Sequence, residues 1–295
     1  MNRADFKDLL FVLALLAFPI IQFLIFYVGT NVGSWLMAFQ IPRFGGEVKW
    51  SLLNFKIFFT DLFDPQTETR IMLWNTLRVF LVADFVTLPL STIFSYFLAS
   101  NFKGAGFFRV IFFLPSIVSA VAMTMIFYYF IEVGGPVNKI FDVFNARYPL
   151  FLGDEQYAFR TILFYNVWSG LGYYIVLLSG AIGRIPKELN ESALIDGASF
   201  MRIFVSIVIP LIWPTVSMLF VLNIANMFGY MGPVLLLTNG ANKTSTLAFF
   251  IYKGVKVSKT YNYSAAVGFV ITLVGTPLVL GVRALMNKVT EEVEF

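Results

Sequence analysis

A chain of 295 residues with 58% hydrophobic and only 13% charged side chains is far poorer in charge than a soluble domain, where about a quarter of residues are charged, and reads as a membrane protein. The absence of cysteine excludes disulfides, iron–sulfur ligation and thiolate catalysis, and the absence of histidine removes the usual general base and the commonest metal ligand. A net charge of +4, dispersed along the chain, leaves no footprint for nucleic acid.

In chain order, Arg3 and Lys7 precede a run without charge from Leu9 to Pro42. That run is far longer than the apolar core of about 7–15 residues in a secretory signal, so a retained first span is expected at about 9–29. The segment from about 30 to 71 carries Glu47, Lys49, Lys56, Asp61 and Asp64, with an amphipathic stretch from Trp50 to Phe63 suited to the membrane interface. Because about 20 apolar residues cross a bilayer core about 30 Å thick, five more spans are predicted, at about 72–99, 109–131, 160–182, 211–228 and 265–286. The fifth begins after Pro210 and Pro214, ends near Gly229 and is barely long enough. Thirty-five phenylalanines and thirteen tyrosines fit a lipid-facing surface with aromatic belts. The expectation is an all-α integral membrane protein, one domain over 1–295 with six transmembrane helices. Lysine and arginine are denser in the segments that face inside if the N-terminus is cytoplasmic, including Lys103, Arg184, Lys187, Arg202 and Arg283, although the longer outside segments hold slightly more in total. Both termini are therefore expected in the cytoplasm.

The loop 183–210 reads as two short helices joined by a corner. Pro186 suits the first helical position, Glu188 favours the first turn through the helix dipole, Gly197 suits a left-handed residue after the helix, and Ser199 is a cap for the next one. Ser192 and Ala193 form a small-residue patch where another surface can approach, flanked by Glu191 and Asp196.

Here a resemblance becomes specific. Glu191-Ser192-Ala193, three residues, Gly197, nine residues, Ile207, one residue and Ile209-Pro210 resemble the EAA loop of ABC-transporter membrane subunits, with Ser192 for alanine and Ile209 for leucine. Ile195-Asp196-Gly197-Ala198 is similar to the carbohydrate-uptake branch, the permeases of the maltose and glycerol-phosphate type. Further matches are Asn75-Thr76-Leu77, Arg109 with Leu114-Pro115, Gly135-Pro136-Val137-Asn138, Trp168 with Gly170-Leu171-Gly172, and Tyr261-Asn262-Tyr263-Ser264-Ala265-Ala266. One departure is Thr238-Asn239-Gly240-Ala241-Asn242, where the family has Thr-x-Gly-Gly-Pro in a loop facing the binding protein or substrate path. The resemblance implies a pore built with a second homologous permease, two ABC ATPase subunits carrying ATP and magnesium, an extracytoplasmic solute-binding protein and a carbohydrate substrate. The EAA loop would form a cytoplasmic coupling helix seated in an ATPase cleft, with Glu191, Ser192, Ala193, Asp196 and Gly197 at the joint. No cofactor is expected on this chain itself, and membrane lipid is its remaining partner.

Single residues keep two readings each. Asp84, deep in the second span, costs about 2.5–3.5 kcal/mol on insertion scales and must face protein or water; it serves a proton relay or substrate site, or is a structural group satisfied by a hydroxyl such as Thr87. Asn166, Tyr173 and Tyr174 in the fourth span, and Asn223 and Asn226 in the fifth, offer the amides and aromatic faces a sugar needs, but buried amides equally join helices. Asn226 leads, because a discontinuous segment after Pro214 is where transporters expose polar groups. The stretch Gly240–Thr244 is no phosphate-binding loop, since Asn242 and Leu237 stand where its glycines must be.

The rival readings are an ion-coupled secondary transporter, for which Asp84 supplies an intramembrane acid, and a membrane enzyme, which lacks a carboxylate pair in the spans. Neither explains the pattern from Glu191 to Pro210.

Overall fold

The computed structural model describes residues 3–42, 47–65, 67–100 and 102–290. Six of its helical segments are long and apolar enough to cross a membrane: Phe11–Ala38, Glu68–Ala99, Ala120–Val143, Glu155–Ile182, Phe200–Met227 and Tyr261–Lys288. The chain divides into two compact units, one of residues up to Asp64 with Ile251–Thr272, the other of Pro65–Phe250 with the residues from Leu273 on.

In the first unit, α1 (Arg3–Gln22) runs through a widened turn at Phe23–Gly29 into α2 (Thr30–Ala38), so the first span is longer than the predicted 9–29. A short antiparallel pair follows, β1 (Gln40–Pro42) with β2 (Val48–Trp50), then α3 (Leu53–Phe63). The predicted amphipathic helix is thus trimmed: Trp50 is a strand residue, and the helix starts three residues later. Asn54 explains the trimming, because its amide donates to the carbonyls of Ala38 (3.0 Å) and Gln40 (3.1 Å) and ties α3 to the ladder. Phe39, Phe55 and Phe269 close this unit as a ring cluster with centroids 4.9–5.8 Å apart.

The second unit opens with α4 (Glu68–Val82), a widened turn at Ala83–Thr87 and α5 (Leu88–Ala99). Pro89 cannot donate to the carbonyl four residues back and its ring crowds it; the turn ahead of it opens so that the Leu88 N–H reaches the Ala83 carbonyl. The predicted third span 109–131 is broken into α6 (Ala105–Ile117) and α7 (Ala120–Ile131). Pro115 weakens the end of α6, Val118 is extended, and the Ser119 hydroxyl accepts from the Ala122 N–H (3.2 Å) to start α7. At 13 residues, α6 is about 20 Å long and too short to span. Then come α8 (Pro136–Val143), α9 (Glu155–Ile182), α10 (Lys187–Ile195), α11 (Phe200–Ile203), a widened turn at Phe204–Val208, α12 (Ile209–Met227) and α13 (Gly232–Leu237). The remaining helices, α14 (Leu247–Lys256) and α15 (Tyr261–Thr290), contribute residues to both units.

The fifth span is the largest correction. It does not begin after Pro210 and Pro214; helical backbone runs from Phe200 to Met227 through both prolines. The widened turn at Phe204–Val208, where Ile209 N–H bonds the Phe204 carbonyl, absorbs Pro210 just as Ala83–Thr87 absorbs Pro89. Consequently the second half of the 183–210 loop is no short separate helix but the start of this span.

Packing in this unit centres on Leu88, Tyr96, Leu178, Ile182, Phe204, Val208, Ile212 and Leu219, which join α5, α9 and the 200–227 helix. Tyr96 stacks on Phe204 (4.9 Å) and its hydroxyl donates to the Phe200 carbonyl (3.2 Å). Gly172 lets α9 cross α6 closely: a Cβ there collides with the Phe112 carbonyl and comes within 2.9 Å of the Ser116 hydroxyl. Lipid tails are as apolar as these faces, so close van der Waals packing and interhelical hydrogen bonds, rather than escape from water, hold the helices together.

Candidate functional site

A cavity of about 290 Å³ lies among α4, the turn that follows it, α9 and α12. It brings together five of the six residues singled out as substrate candidates: Asn166, Tyr173, Tyr174, Asn223 and Asn226 all line it. They converge because α9 places Asn166, Gly170, Tyr173 and Tyr174 on one helical stripe, at spacings of three and four, and α12 does the same with Leu219, Leu222, Asn223 and Asn226. Gly170 leaves a gap in the α9 stripe that the Thr87 methyl and the Tyr174 ring approach.

Asp84 sits behind this wall rather than on it, only 3% exposed. Its Oδ1 accepts from the Asn223 amide at 2.6 Å, and the Asn223 carbonyl oxygen accepts from the Tyr174 hydroxyl at 2.6 Å. The alternative in which Thr87 satisfies Asp84 is not met: the Thr87 hydroxyl donates to the carbonyl of Val82, the last residue of α4 (3.2 Å). The second carboxylate oxygen of Asp84 is buried without a partner among the described residues. Asn226 faces the cavity, but not because the helix breaks after Pro214; the break comes later, at Phe228–Met231, before α13.

Two further polar side chains on the cavity wall are Tyr230, which the sequence reading did not single out, and Thr87, which it named only as a partner for Asp84. Tyr230 lies just beyond the end of α12, and its hydroxyl is buried without a partner among the described residues. Thr87 lines the wall from the widened turn. The Tyr230 position is readable in principle, since Asn223, Asn226 and Tyr230 follow helical spacing, whereas the place of Thr87 on the cavity wall follows only from the crossing of helices.

The loop 183–199 forms the anticipated corner. α10 spans Lys187–Ile195, Pro186 is the residue before it rather than its first helical residue, and Glu188 lies in its first turn. Gly197 has φ +77° and Ser199 accepts from the Arg202 N–H at 3.4 Å. Glu191, Ser192, Asp196 and Gly197 are exposed. Ala193 is not part of an outward patch, because it packs, with Ala198, against the core of α5, α9 and the 200–227 helix. The outward face instead shows Leu194 and Ile195, the latter 87% exposed. The sequence reading passed over both, although two bulky apolar residues at the end of a polar helix are an available signal for a docking face.

The loop that departs from the family pattern is tightly built. The Asn75 amide donates to the carbonyls of Lys243 (2.7 Å) and Ser245 (3.0 Å), the Asn242 amide donates to Leu152 (2.7 Å), and Lys243 pairs with Glu155 at 2.7 Å.

A helical chain with six membrane crossings, a central amide- and phenol-lined cavity and a capped helical corner at its edge has the architecture of a transport component. It belongs to the family of binding-protein-dependent transport system inner membrane components, whose profile matches residues 89–291. The chain is thus a multi-pass permease subunit of a binding-protein-dependent, ABC-type transport system. Among its relatives are the diacetylchitobiose uptake system permease protein NgcF of Streptomyces coelicolor, 28% identical over 93% of this chain and 85% of that protein. Another is the multiple sugar-binding transport system permease protein MsmF of Streptococcus mutans, 26% identical over 81% of this chain and 86% of that protein. A bacterial ABC transporter involved in the import of the acidic polysaccharide alginate shares the fold, with a TM-score of 0.84 at 23% identity over 97% of this chain and 98% of the matched one.

Proposed function

We propose that this permease lines the path of an uncharged oligosaccharide or related polyol, taken up from an extracytoplasmic binding protein. The observation that carries the reading is the chemistry of the cavity wall. Its polar members are three amides, three phenols and a threonine, with no charged side chain among the lining residues. Amides and phenols exchange hydrogen bonds with sugar hydroxyls, and aromatic faces stack on the apolar faces of sugar rings. A uronate would need a cation here, which separates this cavity from one built for an acidic polysaccharide. The sugar-transport relatives point the same way.

In this reading a second homologous permease completes the pore and two ATPase subunits hold ATP and magnesium, this chain having no nucleotide site of its own. The corner at Glu191, Ser192, Asp196 and Gly197 meets the ATPase on the cytoplasmic side, with Leu194 and Ile195 as apolar anchors and Ala193 supporting them from within. Both chain termini then lie in the cytoplasm. The test is uptake by proteoliposomes holding the assembled transporter and its binding protein, with radiolabelled diacetylchitobiose and maltotriose as neutral probes and an alginate oligosaccharide as the acidic one. Neutral uptake should require ATP and survive a protonophore. Uptake that ignores ATP and collapses with the proton gradient would overturn the ATP-driven reading in favour of an ion-coupled carrier using Asp84. Uptake of the acidic probe alone would overturn the proposed substrate class.

A further inference from the structure

We propose that Asp84 is a positioning residue that sets the hydrogen-bond polarity of the cavity wall, forcing the Tyr174 hydroxyl to present acceptor lone pairs to the passing ligand. The relay is built from three helical elements. Asp84 projects from the widened turn after α4, Asn223 from α12 and Tyr174 from α9, and the two links between them are both 2.6 Å long. An ionised carboxylate only accepts, so Asn223 must turn its NH2 toward Asp84; the reverse orientation would set two acceptors against each other. That fixes the Asn223 carbonyl oxygen toward Tyr174, which has a single proton and gives it to that oxygen. What remains on the Tyr174 oxygen is a lone pair. Protonation of Asp84 does not undo the arrangement, because Oδ1 still accepts from Asn223 while the proton resides on Oδ2, which is buried and without a partner among the described residues. Thr87, also on the wall, has likewise committed its proton, to the Val82 carbonyl. This part of the cavity therefore asks the ligand to donate. A sugar hydroxyl meets that demand and an ether or fluoro analogue does not.

The relay is a property of this chain, while its bearing on the ligand rests on the proposed function, and the two are tested apart. For the relay, the probe is the tyrosine Fermi doublet in ultraviolet resonance Raman spectra of the chain in nanodiscs, with Tyr174 isolated by subtracting the Tyr174→Phe spectrum. The wild type and Asp84→Asn, which keeps an acceptor oxygen, should give the ratio of a phenol that donates. Asp84→Leu and Asn223→Leu should shift it toward a phenol that accepts or is mixed. A donor signature unchanged in Asn223→Leu, or lost equally in Asp84→Asn and Asp84→Leu, overturns the relay, and either variant pair decides if the other does not fold. For the ligand, KM for the transported neutral probe in proteoliposomes should rise about fivefold in Asp84→Leu, the loss expected when one hydrogen bond of about 1 kcal/mol is mispolarised, with turnover retained and Asp84→Asn close to wild type. A fall in turnover with KM unchanged overturns the positioning role. A wild type that moves neither neutral probe counts against the carbohydrate reading, while the Raman comparison still decides the relay.

Discussion

Gly197→Asp isolates docking from folding. Gly197 closes α10 in a left-handed conformation, φ +77°, with its N–H on the Leu194 carbonyl (3.0 Å) and the Ala198 N–H on the Ala193 carbonyl (2.9 Å). That pair of bonds is a Schellman closure, which glycine enters without penalty. A Cβ added at Gly197 meets no atom within 4 Å, so the cost is backbone strain alone, about 1 kcal/mol, and aspartate is among the residues that tolerate this region best. Thermal unfolding of Gly197→Asp and Gly197→Ala in detergent should therefore fall by only about 2–4 °C each. The two variants diverge in function. Aspartate adds a negative charge to an exposed face that already carries Glu191 and Asp196, and an unpaired carboxylate pressed into a protein interface costs several kcal/mol. ATP-driven uptake should drop roughly tenfold or more in Gly197→Asp, on the order of that interface cost, while Gly197→Ala stays near the parent and the ATPase subunits keep hydrolysing ATP. Parental uptake in Gly197→Asp would refute the coupling role of the corner. A large loss of thermal stability in both variants would refute the claim that the strain is local.

Gly172→Leu should destabilise the purified chain by about 3 kcal/mol or more, because its side chain must displace the Phe112 backbone on α6; denaturation in mild detergent checks this. Asn75→Leu removes the donor to two carbonyls of the 238–246 loop from a site 1% exposed and should cost about 2–4 kcal/mol. Lys243→Ala breaks only a half-exposed ion pair with Glu155 and should cost less than about 1 kcal/mol; equal losses in the two variants would reverse this ranking. Since the chain contains no cysteine, single cysteines report sidedness directly. Glu191→Cys should react with a membrane-impermeant maleimide only from the cytoplasmic side and Asn145→Cys only from outside, and the opposite pattern would invert the proposed topology.

What could be read from sequence was whatever depends on local periodicity and capping. Ser199 as a cap and Gly197 as a left-handed stop follow from backbone chemistry that neighbours do not override. The stripes Asn166–Tyr173–Tyr174 and Asn223–Asn226 were legible because helical spacing alone puts them on common faces. Prolines misled the reading. Pro210 and Pro214 read in sequence as the start of a span, yet a widened turn ahead of Pro210 carries the helix through, whereas Pro115 and Ser119 together do break the third span. The difference is that a widened turn precedes Pro210, whereas the helix carrying Pro115 ends three residues later at extended Val118. The partner of Asp84 lies 139 residues away in Asn223, and only the crossing of helices brings them together. Ala193 turns inward rather than outward for a similar reason, since which face of α10 turns inward is fixed by the core it rests on.

If the corner couples to an ATPase as proposed, continuity of the 200–227 helix sets how its movement would reach the cavity. Had the span begun after Pro214, the coupling loop and Asn226 would be joined by a flexible connection, and closing of an ATPase could be lost in it. Instead Ser199 caps a helix of 28 residues, about 42 Å long, that carries Asn223 and Asn226 near its far end. The first half of this helix packs with Tyr96, Leu178 and Ile182, and in the proposed coupling role a displacement at Gly197 should tilt it about that contact. The widened turn at Phe204–Val208 lies within that first half, where the packing of Phe204 on Tyr96 supports it. A tilt at the far end would then act on the link from Asn223 to Asp84 and Tyr174, and the polarity of the wall would change with the position of the corner. Loosening this contact with Leu178→Ala should accordingly lower ATP-driven uptake while ATP hydrolysis continues. Equal losses of uptake and hydrolysis in that variant would mean that the helix is not the connecting element.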